Sequence, residues 1–135
     1  MHHTNSNLDD TNMKTLKITY WTTTVLIALM MLFSGTMYFT APEMPENFHN
    51  LGFPDFFRVE LGIAKIIGAL LLLLKVPNRF KEWAYFGFLL TFVSAVAAHL
   101  SVGDTNLIPI IVALILLSVS YVTFNMIQQK RVTTN

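Results

Sequence analysis

The chain has 135 residues, of which 53% are hydrophobic and only 13% are charged, and it contains no cysteine. An ordinary soluble domain carries about 25% charged residues, so a water-soluble globule is not expected, and the length accommodates one domain. The net charge of +1 excludes a strongly basic nucleic-acid-binding protein. The absence of cysteine excludes disulfides, thiolate nucleophiles and Cys-ligated metals.

Four apolar stretches follow one another along the chain. A helix needs about 20 mostly apolar residues to cross roughly 30 Å of hydrocarbon. The stretches at residues 18–39, 56–76, 83–100 and 107–127 satisfy this requirement. The sequence therefore predicts an all-α, membrane-embedded bundle of four transmembrane helices, contained in a domain at residues 16–128.

Polar segments flank this domain. Residues 1–15 predict a flexible tail, and residues 129–135 predict a second tail. The first apolar stretch is longer than the apolar region of about 7–15 residues in a signal peptide, and an acidic pair precedes it, so a retained helix is expected. His2 and His3 are interpreted as solvated tail residues, and no metal site is predicted.

The distribution of Lys and Arg predicts the orientation of the bundle. Short cytoplasmic loops of membrane proteins carry an excess of these residues. Both termini and the loop at residues 75–82 are therefore predicted to be cytoplasmic. The 40–55 loop and the 101–106 turn are predicted to face outward, and Arg58 is the one Lys or Arg residue on that side. The cytoplasmic set is Lys14, Lys17, Lys75, Arg79, Lys81, Lys130 and Arg131.

Aromatic residues open the first and third apolar helices. Tyr20 and Trp21 begin one, and Trp83 and Tyr85 begin the other. Because amphipathic rings prefer the headgroup level, all four are predicted to mark the cytoplasmic interface.

Polar side chains from several helices collect in the outer third of the predicted bundle. At about 1.5 Å of rise per residue, Lys65 lies roughly 10–12 Å deep. Ionisable groups at mid-bilayer cost roughly 2.5–3.5 kcal/mol each, so they are expected to face the bundle and to be paired. The candidate ligand-binding set comprises Ser34, Tyr38, Glu60, Lys65, His99 and Asp104.

Several members of this set also have structural interpretations. Glu60 and Lys65 are separated by about 140° around a helix, so each is expected to face a different neighbour. Lys65 either lines a pocket or extends its stem toward the headgroups. His99 is either a proton carrier or a plain hydrogen-bonding residue, and Asp104 also suits a turn or a helix cap. No catalytic residue is predicted.

Small residues and an aromatic loop surround this set. Ala64 and Gly68 in the second helix, and the Ser and Ala residues before His99 in the third, predict tight packing of these two helices near the polar cluster. The outer loop APEMPENFHNLGFPDFF is rich in phenylalanine and proline. It is interpreted either as a lid over the cluster or as an interfacial turn.

Several strings in the chain resemble one known family. They are MMLFSGTMYF in the first helix, LGFP in the outer loop, AKIIGALLLL in the second helix, KEWAYFGF and AAHLSVGD at the two ends of the third, and SVSY in the fourth. Over residues 20–125 the sequence resembles the DoxX-like family of small four-helix integral membrane proteins. The resemblance implies a four-helix bundle, which we expect in the bacterial cytoplasmic (inner) membrane. Relatives look like membrane subunits of sulfur or thiol oxidation with quinone as acceptor, and others look like assembly factors.

Two functions follow as expectations. The first is a subunit that binds a quinone or another lipophilic small molecule in a redox-linked membrane system. The second is a non-catalytic scaffold or assembly factor for a partner protein. Without cysteine the chain cannot perform thiol exchange, so we do not expect an enzyme on its own. The expected partners are the lipid bilayer, a membrane or redox partner protein and further copies of the chain, but no nucleic acid.

Overall fold

The protein is described here by a computed structural model, which covers the backbone of residues 2–134 and the side chains of residues 10–132. This part of the chain forms five α-helices, four long and one short, and no strand. They are α1 (His2–Thr40), α2 (Met44–Asn50), α3 (Asp55–Leu73), α4 (Asn78–Ser101) and α5 (Ile108–Thr134).

The four predicted apolar stretches fall in the four long helices, but polar residues extend three of those helices. Helix α1 begins at His2 instead of near residue 18, and α5 continues to Thr134 through most of the predicted tail. Helix α4 begins at Asn78, because NRFKE contains no residue that breaks a helix and continues the apolar segment backward. Hydropathy detects the membrane-compatible part of a helix and not its polar extension. The side chains of His2 and His3 lie outside the described residues.

Helix α3 ends earlier than predicted. Its last residue is Leu73, and Leu74 has extended backbone angles (φ −87°, ψ 158°). Pro77 follows closely and disfavours helical geometry at the residue before it, so the chain cannot continue as a helix to residue 76.

Three helices in the described chain are long and apolar enough to cross a membrane. The fourth long helix, α3, does not belong to this set, and its 19 residues include four charged ones. The three segments are Asp10–Thr40, Asn78–Ser101 and Ile108–Val132. The charged residues of α3 are Asp55, Arg58, Glu60 and Lys65.

The long helices pack in a ring. Helix α1 contacts α3 and α5, α4 contacts the same two helices, and the short α2 touches α1 and α3. Ile27 and Leu72 are completely buried in the shared apolar core. One end of the bundle contains α2 (the α2 end), and the other contains the start of α1 and the end of α5 (the terminal end).

Glycines allow the closest helix contacts. A Cβ atom at Gly35 would lie 3.0 Å from the carbonyl oxygen of Gly62, so α1 and α3 touch through their backbones. Gly68 accommodates the ring of Phe88 from α4. The expected tight packing through Ala64 does not occur, because Ala64 is exposed. Near the polar cluster the close approach is between α1 and α3, and a cavity lies between α3 and α4.

A polar network crosses the middle of the bundle. Ser120 Oγ lies 2.6 Å from Thr24 Oγ1 and 2.6 Å from Tyr85 Oη, which joins α5 to α1 and α4. Tyr85 and Tyr20 are buried, whereas Trp21 and Trp83 are exposed. The two tyrosine side chains therefore face into the bundle, where each hydroxyl has a partner.

Candidate functional site

A cavity of about 900 Å³ opens among all five helices toward the α2 end of the bundle. Pockets that hold small organic molecules fall in the range of about 300–1,000 Å³ and combine apolar walls with a few polar groups. This cavity, here called the Lys65 cavity, has that composition. Its apolar wall includes Met30, Met31, Phe48, Leu51, Phe53, Phe57, Leu61, Leu90, Phe92 and Ile110.

Helix α3 contributes one charged side chain, Lys65, to the cavity wall. Its side chain is only 7% exposed, so its stem does not extend to the surface. The ammonium group donates hydrogen bonds to Ser34 Oγ at 2.9 Å and to Tyr38 Oη at 2.5 Å. Ser34 and Tyr38 are four residues apart and therefore lie on one face of α1.

Among the described residues, no carboxylate lies within ion-pairing distance of Lys65. The ion pairs among the described residues join Arg58 to Asp55 and His99 to Asp104. A lysine ammonium has three N–H donors, and the two neutral oxygens of α1 accept only two of them. Burying a cation without a countercharge is costly, so an oxygen acceptor inside the cavity would stabilise this arrangement.

His99 borders the cavity from the last turn of α4. Its Nδ1 lies 2.8 Å from Asp104 Oδ2, in the turn that follows. The Asn106 backbone N–H donates to Asp104 Oδ1 at 3.0 Å, and this bond, followed by the His99 contact, lowers the pKa of Asp104 below its ordinary value. An ionised Asp104 accepts a hydrogen bond from the Nδ1–H group of His99. The other ring nitrogen, Nε2, is then the one that can contact other partners.

The aromatic loop forms the roof of the cavity. Helix α2 buries Phe48, whose ring packs edge-on against Tyr38 at 4.9 Å between centroids. Phe53 stacks on Phe57 at 4.8 Å, and Gly52, with φ of +88°, forms the turn between α2 and α3. Of the two interpretations of the loop, its position over the cavity matches the lid.

Asp104 does not line the cavity itself, and Glu60 lies outside the cavity wall altogether. Its side chain is exposed and faces away from Lys65, in agreement with their angular separation of about 140°. Ser34, Tyr38, Lys65 and His99 come together in the wall, and Asp104 contacts the site through His99.

Arg58 has a role that the sequence did not reveal. Its guanidinium donates to the backbone oxygen of Tyr38 and forms an ion pair with Asp55 at 2.9 Å. It thereby satisfies a carbonyl in the last turn of α1 and fixes the start of α3 beside it. The Asp-x-x-Arg spacing in the first turn of α3 is a local signal for the ion pair, but nothing local indicates the contact with Tyr38.

A match to a known protein family includes the whole of this site. The model of the DoxX-like family matches residues 22–121, which include every residue that lines the Lys65 cavity. The chain belongs to the DoxX-like family. The family and the three apolar helices indicate an integral membrane protein. No curated protein and no solved structure matches the chain significantly.

Proposed function

We propose that this DoxX-like protein crosses the membrane four times and binds a lipophilic molecule in the Lys65 cavity. The ligand class is a quinone, or another lipophile with oxygen acceptors at its polar end. In this role the protein is a subunit of a redox-linked membrane system, and a partner protein performs the chemistry.

The observation that carries the proposal is the buried ammonium of Lys65. It lies in the wall of an apolar cavity, its two hydrogen-bond partners are neutral, and no carboxylate lies within ion-pairing distance among the described residues. A quinone carbonyl oxygen suits the remaining N–H donor, and the apolar wall suits the ring and its tail. His99 at the rim offers a second polar contact, and Nε2 becomes a donor when the ring is protonated.

A quinone brings its own redox chemistry, and the protein supplies binding and orientation. Lys65 holds one oxygen, Ser34 and Tyr38 fix the position of the ammonium, and the aromatic lid limits the entry of water. These residues bind and orient the ligand, so the proposal assigns no catalytic residue to this chain.

The four-span topology is supported by the length and the charges of α3. Its 19 residues extend about 29 Å at about 1.5 Å per residue, close to the thickness of the hydrocarbon core. Asp55 and Arg58 lie at one end, and Lys65 turns into the bundle. The Lys and Arg residues at the terminal end favour cytoplasmic termini, and the bacterial inner membrane contains the quinones that such a site would bind.

Calorimetric titration of the detergent-purified protein with a short-chain quinone tests the proposal. Lys65→Met should weaken binding by about tenfold or more, because a hydrogen bond to a charged group contributes about 1.5–3 kcal/mol. Glu60→Gln is the matched control, since it removes a charge from the same helix outside the cavity, and it should bind like the wild type. Equal affinity of the Lys65 variant and the control would refute the proposal.

The alternative, a scaffold for a partner protein, uses a different surface. Phe56 at the start of α3 is 66% exposed, whereas Phe53 is stacked within the loop. A stoichiometric second polypeptide that is lost in Phe56→Ser, together with the absence of quinone binding, would favour the scaffold.

A further inference from the structure

A second cavity, of about 630 Å³, lies at the terminal end of the bundle, opposite the Lys65 cavity. It is bounded by Lys17, Tyr20 and Trp21 of α1, the connection between α3 and α4, and the end of α5. Its wall contains four basic residues and no Asp or Glu. The basic residues are Lys17, Lys75, Lys81 and Arg131. We call it the basic cavity.

Lys81 is the buried member of this group, with 8% of its surface exposed. Its ammonium donates to Tyr20 Oη at 3.2 Å and to the backbone oxygen of Leu72 at 3.2 Å. Both acceptors are neutral, and the second lies in the last turn of α3. Lys81 therefore caps α3, but its charge is not neutralised by this contact.

The surrounding cations add to this charge. Lys17, Lys75 and Lys81 form no ion pair with any described residue. These three lysines line one cavity although mutual repulsion opposes this arrangement, so a multivalent anion bound among them would relieve it.

Neutral donors in the same wall match an oxyanion. Asn78, the first residue of α4, donates through Nδ2 to Gln128 Oε1 at 2.9 Å, which leaves the Gln128 amide N–H groups available as donors. Because Asn78 lines the cavity and is the first residue of α4, the N-terminus of this helix borders the cavity, and helix N-termini favour anions. Trp21 lies beside Lys81, with its ring 5.6 Å from the ammonium, and indole rings prefer the headgroup level.

We propose that the basic cavity binds a phosphate group. Basic pockets between transmembrane helices on the cytoplasmic side bind the headgroups of anionic phospholipids, and a soluble phosphate ester presents the same chemistry. The site is separate from the Lys65 cavity and does not depend on the function proposed for it. Several of its residues, including Lys17, Gln128 and Arg131, lie outside the family match.

Binding of phosphatidylglycerol to the full-length protein, measured by native mass spectrometry in mild detergent, tests the inference. Lys17→Gln combined with Lys75→Gln changes two exposed side chains and should leave the fold intact. Each lysine is expected to contribute about fivefold to the affinity, so this double variant should bind about 25-fold more weakly. Lys14→Gln, a matched change on the same flank of α1 but outside the cavity, should have no effect.

Two further arms identify the source of the phosphate. Preference for phosphatidylglycerol over zwitterionic phosphatidylcholine supports a lipid headgroup. Protection against thermal unfolding by inorganic phosphate alone, lost in the double variant, supports a soluble phosphate. If the double variant, Lys14→Gln and the wild type bind phosphatidylglycerol equally and none responds to phosphate, the inference is wrong.

Discussion

Lys65 depends on two side chains of another helix. Ser34 and Tyr38 of α1 accept two of its three N–H donors and hold the ammonium against the cavity. Neither oxygen carries a charge, so the cation is solvated by the protein but not neutralised. This combination gives a buried lysine a stable position and still favours a ligand oxygen.

Tyr38→Phe should destabilise the protein by about 1–3 kcal/mol, because it leaves a buried donor of Lys65 without its acceptor. The free energy of unfolding in detergent measures this effect. Tyr121→Phe removes a hydroxyl from an exposed ring on α5 and is the control, with no expected change. When Tyr38→Phe is combined with Lys65→Met, most of this loss of stability should disappear, because the unpaired donor is no longer present. If the two changes had additive effects on the free energy of unfolding, the hydrogen bond from Lys65 to Tyr38 would be contradicted.

Most of the candidate polar residues could be predicted from the sequence, because alternating helix direction places residues at comparable depths. Glu60 lies at a similar depth but outside the cavity wall, because depth alone does not say which way a side chain faces. The aromatic roof from Phe48 and the contact of Arg58 with Tyr38 depend on how the loop folds back over the bundle. That arrangement is set by long-range packing, which hydropathy does not encode.

Helix α3 is positioned by its glycines as much as by its apolar residues. Gly62 lies against Gly35 of α1, and this backbone contact brings Lys65 within reach of Ser34 and Tyr38. A carbonyl oxygen limits the approach at this point, so the helices have little freedom to adjust.

Gly35→Ala should therefore cost about 1–3 kcal/mol of stability, because its Cβ would lie 3.0 Å from both Gly62 O and Ile66 Cγ1. Gly87→Ala is the control. A Cβ atom at Gly87 meets nothing within 4 Å, so this change in mid-helix should be neutral or stabilising by up to about 1 kcal/mol. Thermal unfolding of both variants in the same detergent tests the contrast, and equal effects would contradict the close contact of α1 and α3.

The existence of the four long helices followed from their apolar runs, but their ends did not. Polar residues before Ile18 and before Trp83 extend α1 and α4 without any change in hydropathy that would predict it. The short α2 is too small and too polar to be recognised by periodicity. Its burial depends on Phe48, which has a partner only in the folded bundle.

The whole molecule has a cavity at each end and a closed polar network between them. Thr24 and Ser120 are completely buried, and their hydroxyls and that of Tyr85 join three helices at mid-depth. The two cavities differ in character, since one is apolar with a single buried cation and the other contains four basic residues. In the proposed topology, the lipophilic ligand and the phosphate would bind on opposite sides of the membrane.

The four-span topology predicts that exposed positions before and after α3 in the chain, Glu43 at the start of α2 and Glu82 near the start of α4, lie on opposite sides of the membrane. Because the chain has no cysteine, Glu43→Cys and Glu82→Cys each introduce a single reactive thiol. A membrane-impermeant maleimide applied to intact cells should label position 43 and should label position 82 only after permeabilisation. Labelling of both positions from one side would show that α3 does not cross the membrane.

Native mass spectrometry of the protein purified in mild detergent, followed by organic extraction of what it carries, tests the central claim most directly. We expect a defined quinone or related lipophile on the wild type and on Glu60→Gln, and its loss from Lys65→Met. The account would be contradicted if the wild type carried only bulk lipid, or if Lys65→Met retained the same lipophile in the same amount.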